Sequence, residues 1–154
     1  MQFGKSSETK IEFNLGEKET LQEVNQGVQG MEYLNSGTST GDALRRSREE
    51  IFNGEGIDRI DAPNVLLLFT DGQATDKQGK QVEQAKKLKD DGVKVITVGM
   101  GERETIDNFR EKLREMASRD SDSAAPLMFE TAFEYLDLIA NNLVEEACDT
   151  SAAG

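Results

Sequence analysis

The chain has 154 residues, of which 36% are apolar and 31% charged, enough for one domain with a buried core. Its net charge of −12 (30 acidic against 18 basic residues) argues against a phosphate-binding, nucleic-acid surface; it is compatible with cations or basic partners, but the plainer reading is a solvated acidic surface. The absence of histidine removes His-dependent triads and the commonest general base, and a single cysteine, Cys148, cannot form an internal disulfide or a cysteine-rich zinc site. No run approaches the roughly 18 apolar residues that span a bilayer, and "MQFGKSSETK" lacks the apolar core of a signal peptide.

In chain order, "MQF" and the alternating Lys10–Leu15 segment, with Ile11, Phe13 and Leu15 on one face, predict a short antiparallel hairpin across the polar turn 5–8. Leu21, Val24 and Val28 mark a short amphipathic helix that stops near Gly30. In "NSGTSTGDALRRSREEIF", Ser39 or Thr40 is the expected N-cap, and Asp42 suits the positive first turn. Ala43, Leu44, Ser47 and Ile51 trace the helical face, and "NGEG" ends it. Residues 64–70 are apolar on both faces, the pattern of a central parallel strand. A helix carrying Val82, Ala85 and Leu88 follows, with Asp76 expected to open it, and then a buried strand at 93–101. A helix lined by Ile106, Phe109, Leu113 and Met116, a short strand at 126–130 and a helix lined by Phe133, Leu136, Ile139, Ala140 and Leu143 complete the pattern. One partial domain over 1–147 and a disordered tail at 148–154 are expected.

Strands alternating with helices from residue 41 onward imply right-handed crossovers and a parallel sheet covered on both faces. Ligands bind such sheets beyond the carboxyl ends of the strands, where "VLLLFTDGQATD" places Asp71. Two catalytic readings were weighed. Gly4-Lys5-Ser6 matches the end of a P-loop, but an alternating strand follows where a P-loop opens a helix. Asp71, Gln73 and Thr75 are similar to the aspartate-nucleophile phosphatases, but glutamine stands where their acid/base aspartate belongs and cannot exchange a proton. An aspartate-based phosphotransferase stays as the enzyme alternative.

The order "GTSTGDAL" (37–44), apolar strand, "FTDGQATD" (69–76), then "VKVITVGMG" and "FEYLDLIANNL", resembles the von Willebrand factor type A domain family over nearly the whole chain. The resemblance implies an α/β fold with a doubly wound, mostly parallel sheet, one antiparallel edge hairpin and helices on both faces. It also implies a protein-binding or adhesion module, not an enzyme, in which a divalent metal (Mg²⁺, or Mn²⁺ or Ca²⁺) accepts an acidic side chain of a protein partner. Residue by residue, the family's metal-binding threonine matches Thr38 and its aspartate Asp71. Ser36, Gly37, Gly72 and Gln73 flank them as partner-binding candidates. The family's Asp-x-Ser-x-Ser loop has no counterpart at the expected strand end. "DSDS" at 120–123 offers similar letters in a polar loop, but far along the chain. The family's first strand and first helix would precede "MQFG", so the chain is expected to lack its first central strand and to hold an incomplete metal site, weak or empty of metal. The resemblance further implies that a cysteine partner for Cys148 lies in that missing segment, which leaves a free thiol here and points to an extracellular, secreted parent. A metal-independent structural domain of the extracellular matrix is the remaining alternative.

Overall fold

The computed structural model describes residues 1–53, 62–75 and 80–148. Its helices are α1 (Leu21–Gln29), α2 (Thr40–Arg46), α3 (Lys80–Asp90), α4 (Arg103–Asp107), α5 (Arg110–Met116) and α6 (Leu136–Cys148). Its strands are β1 (Val65–Thr70), β2 (Lys94–Met100) and β3 (Met128–Thr131). Two compact units divide the chain: residues 1–61 with 74–81, and residues 62–73 with 82–154.

The second unit holds the sheet. All three strands are parallel in the order β1-β2-β3, with Val65 opposite Lys94 and Thr97 opposite Met128. β2 is central and nearly every residue of it is buried, as its predominantly apolar sequence requires. Its two faces meet different helices. Ile96 and Val98 pack with Leu127 and Leu143, joined by Leu136 and Ile139 of α6. On the opposite face, Gly99 lets the second helical layer approach so closely that a Cβ there would lie 2.7 Å from Leu113 Cδ1 of α5. The buried Thr97 hydroxyl on that face donates to Leu113 O at 3.2 Å, which satisfies a polar group the core would otherwise strand. Lys89 near the end of α3 donates to the carbonyls of Glu115 and Ala117 at 3.1 Å, a favourable cation at a helix C-terminus. The expected α/β class, parallel sheet and helices on both faces are therefore present.

β1 departs from the expectation of a strand covered on both sides. It is an edge of the sheet, pairing among the described residues only with β2, and its burial alternates. Leu68 and Thr70 are buried, but Leu67 and Phe69 on the other face are 41% and 38% exposed. An apolar sequence states what a face prefers; it does not supply the neighbour. Among the described residues no second strand pairs with the outer edge of β1.

The first unit differs more. The expected hairpin reduces to a single antiparallel bridge between Gln2 and Lys10, closed around a 3₁₀ turn at Ser6–Glu8, and Lys10–Leu15 is not a strand. Alternation marks faces, but a two-stranded ribbon alone is marginal in water. α1 forms as expected under a capping box: Thr20 Oγ1 accepts from Glu23 N at 3.2 Å, and the Glu23 carboxylate accepts from Thr20 N at 3.0 Å. None of its residues is buried. α2 begins at Thr40 with Ser39 in the N-cap position, but the Ser39 side chain makes no capping bond. The chain continues past Arg46 as a π-helical turn, Ser47–Phe52. The expected helix lined by Ile106–Met116 is two helices, broken at Asn108–Phe109. α6 runs through Cys148, one residue into the expected tail, and the thiol there is free and exposed. The remainder of that tail, the "GEG" of the helix stop and Asp76 lie outside the described residues.

Candidate functional site

Thr38 belongs to the first unit, in the loop between α1 and α2. Its backbone is bracketed by Thr75: Thr38 N donates to Thr75 Oγ1 at 2.9 Å and Thr75 N donates to Thr38 O at 2.8 Å. These bonds use the main chain of Thr38 and leave its hydroxyl outside the bracket. Gly37 makes the approach possible, since a Cβ there would stand 3.0 Å from Thr75 Oγ1. The loop is pinned from its other side as well. Ser36 Oγ accepts from Lys5 N at 3.1 Å, and Ser39 N donates to Gly4 O at 2.8 Å.

Below this loop, Asp42 in the first turn of α2 is bonded by Lys80 and by the Ser6 hydroxyl. Lys80 and then Ser6 hold the Asp42 carboxyl below the usual aspartate range. The carboxylate was expected to answer the helix dipole; it also ties three segments of the unit together.

Asp71 belongs to the second unit and follows the last residue of β1. The turn after the strand is closed by the buried Thr70 hydroxyl, which donates to Gly72 O at 3.2 Å and accepts from Gly72 N at 3.4 Å. Two residues on, Gln73 Nε2 donates to Asn108 O at 3.1 Å, fastening the loop to the break between α4 and α5. Between these two fixings the Asp71 side chain is exposed. The turn after β1 is thus closed by Thr70 and not by Asp71, and the strand pattern alone marks Thr70 only as its last residue. On the same unit Arg110 is bonded to Asp107 and, at 2.7 Å, to Glu130 Oε2, joining the start of α5 to β3.

Of the flanking candidates, Gly37 allows the close approach of Thr75, Gly72 gives its backbone to the Thr70 hydroxyl, and Ser36 and Gln73 use their side chains as braces. Sequence reasoning missed Thr70, Lys5 and Asn108 as supports and met Thr75 only as part of the phosphatase comparison. Side-chain bonds to distant backbone carry no periodicity, so only the hydroxyl-rich composition of the loops hinted at them. The "DSDS" segment is a local turn. Asp120 Oδ1 accepts from Asp122 N at 3.1 Å, from Ser123 N at 2.6 Å and from Ser123 Oγ at 2.7 Å. Those bonds, the Ser123 hydroxyl first, lower the Asp120 carboxyl.

A hydroxyl and a carboxylate are hard oxygen donors, fitting Mg²⁺, Mn²⁺ or Ca²⁺ in kind. They do not fit in number, since two side chains cover two of about six positions around Mg²⁺. Among the described residues no three acidic or cysteine side chains converge to supply more.

A parallel α/β sheet with helices on both faces and an acidic turn beyond the end of its first strand define the class: a parallel-sheet α/β domain. The sequence profile of the von Willebrand factor type A domain matches residues 1–141, and the chain belongs to that family. It is 32% identical to mouse matrilin-4 over 97% of its length, 33% identical to human matrilin-1 over 93%, and 29% identical to the human collagen alpha-5(VI) chain over 93%. It spans 23%, 27% and 5% of those proteins. Matrilins and collagen VI are secreted proteins of the extracellular matrix and are not enzymes, in agreement with the extracellular parent expected from the sequence. Among solved structures, proximal thread matrix protein 1 from the mussel byssus superposes with a TM-score of 0.76 at 27% identity, covering 90% of this chain and 34% of that one. One structure of that protein is described with zinc occupying its MIDAS motif.

Proposed function

We propose that the chain is the recognition part of a matrix protein: an adhesion module whose intact parent engages an acidic side chain of a protein partner through a divalent ion, the metal site being incomplete here. The observation that supports this best is Asp71, held exposed beyond the end of β1 by a turn that Thr70 closes and Gln73 anchors. In this reading Asp71 contributes a carboxylate oxygen and Thr38 a hydroxyl oxygen. Thr75, Ser36 and Gln73 fix the two loops so that little loop entropy is lost on binding. The ion, when bound, supplies the positive charge that accepts the partner's carboxylate. With most of its shell left to water, it is held weakly, and Mg²⁺, which gives up water reluctantly, is the most weakly held.

The experiment is binding of the chain to an immobilised, solubilised matrix fraction in Mg²⁺ and in EDTA, with Asp71→Ala alongside. Binding that EDTA and Asp71→Ala each reduce about tenfold, about 1.4 kcal/mol, is expected. Binding indifferent to both identifies the metal-independent matrix domain. Turnover of a phosphomonoester lost in Asp71→Ala identifies the phosphotransferase.

A further inference from the structure

The chain contains two Asp-Gly dipeptides, Asp71-Gly72 and Asp91-Gly92, and both aspartates are exposed. Such a dipeptide can react with itself. The glycine nitrogen is one ring closure away from the aspartate Cγ. Glycine, without a Cβ, neither shields that nitrogen nor resists the backbone turn that brings it to the carboxyl group. What differs between the two dipeptides is how firmly the fold holds the nitrogen.

Gly92 closes the end of α3 in the left-handed region, at φ +84°. Three successive amides are bonded there: Asp91 N donates to Lys87 O, Gly92 N to Lys89 O and Val93 N to Leu88 O, each at 3.0 Å. Gly72 has no such hold. Among the described residues its N–H reaches only the Thr70 hydroxyl, at 3.4 Å, beyond the range of about 2.7–3.2 Å of a well-made bond. Its φ is ordinary as well, since the described glycines with a positive φ are Gly16, Gly92 and Gly101.

We propose that Asp71-Gly72 is a site of spontaneous backbone isomerisation, from which the fold protects Asp91-Gly92. The Gly72 nitrogen attacks Asp71 Cγ and forms a new C–N bond. One carboxyl oxygen leaves as water, taking the amide proton and the carboxyl proton, and a cyclic imide remains. Water then adds back. Opening at the Cγ carbonyl restores aspartate, whereas opening at the main-chain carbonyl leaves the chain running through the side chain of residue 71, an isoaspartate. The water lost is the water regained, so neither oxidant nor enzyme is required. The product has an extra methylene in its backbone and its carboxylate on a different carbon. Resting on the reading of Asp71 as a metal ligand, the isomerised turn no longer presents that ligand, and recognition declines with the age of the molecule.

Incubation of the folded chain for weeks at neutral pH and body temperature, followed by tryptic digestion, tests this. Asp71 and Asp91 fall on separate peptides, residues 60–77 and 90–94, whose isomers are separated by chromatography and assigned by fragmentation. Isoaspartate is expected to accumulate at Asp71 at least about tenfold faster than at Asp91, where the helix-end bonds must open first. In urea, where both dipeptides are open chain, the two rates converge. Gly72→Ala, which the ordinary φ admits, slows the reaction at Asp71 and leaves Asp91 unchanged. Absence of isoaspartate at Asp71, or equal accumulation at both sites in the folded chain, overturns the proposal, and that comparison holds whether or not Gly72→Ala folds. EDTA-sensitive binding that falls in step with isoaspartate supports the consequence for recognition. Isoaspartate with that binding intact leaves the modification site standing and removes Asp71 from the metal.

Discussion

Gly99 shows how one residue sets the spacing between a strand and its helical layer. A methyl group there would press on Leu113 Cδ1 at 2.7 Å, with Ile106 and Phe109 also within 4 Å, and Leu113 is 1% exposed with no room to turn aside. Gly99→Ala should cost about 1–3 kcal/mol, read as a lower denaturant midpoint at unchanged slope. Asp42 gives a pH prediction. Its carboxyl is lowered by Lys80 and Ser6, so the unfolded chain binds the proton more readily than the folded one. The resulting stability is present above about pH 3.9, the ordinary aspartate value, and is lost as the pH falls toward the lower folded value. Asp42→Asn should flatten this acid limb of a melting-temperature profile, and an unchanged limb would show that the Lys80 contact contributes nothing. At this scale the sequence was informative where residue type and place in a motif carry the reading, as in the family match to Thr38 and Asp71. It was silent where a side chain acts by reaching a distant main chain, as Gln73 does to Asn108 O and Thr75 to Thr38 N.

Among the elements, legibility followed burial. β2 was readable within a residue or two because a strand enclosed by the sheet is mostly apolar and buried, whereas β3, an edge strand, was readable from its short apolar start. The break between α4 and α5 was not, since Ile106, Phe109, Leu113 and Met116 keep helical spacing across it and the apolar stripe passes uninterrupted over the kink at Phe109. The hairpin was misread because Ile11, Phe13 and Leu15 alternate without a partner strand to use the alternation; only Gln2 and Lys10 bridge. α1 was readable from its cap and depends on it, having no buried residue to hold it. Phe13 lies against Gly27, where a Cβ would stand 3.1 Å from the ring, and little else fixes the helix. Thr20→Ala should therefore cost about 1 kcal/mol of local helix stability. Amide exchange should quicken across Leu21–Gln29 and stay unchanged in β2. Equal quickening in both would mean that α1 folds as one unit with the sheet.

For the molecule as a whole, family membership and matrix relatives establish what kind of domain this is, and the supports around Thr38 and Asp71 argue for what it does. The departure from the family's pattern was also legible: the missing Asp-x-Ser-x-Ser loop has no substitute among the described residues, since Asp120 and Ser123 are consumed in their own turn. The claim at the centre is that the exposed Asp71 turn is a weak metal-binding part of the recognition surface. A titration with Mn²⁺ followed by amide NMR tests it most directly, because the paramagnetic ion broadens only the signals near where it rests. The account predicts that substoichiometric Mn²⁺ broadens the amides of residues 71–73 in fast exchange, that excess Mg²⁺ reverses the effect, and that Asp71→Ala abolishes it. Broadening confined to other acidic surfaces, or tight binding that survives Asp71→Ala, would contradict it.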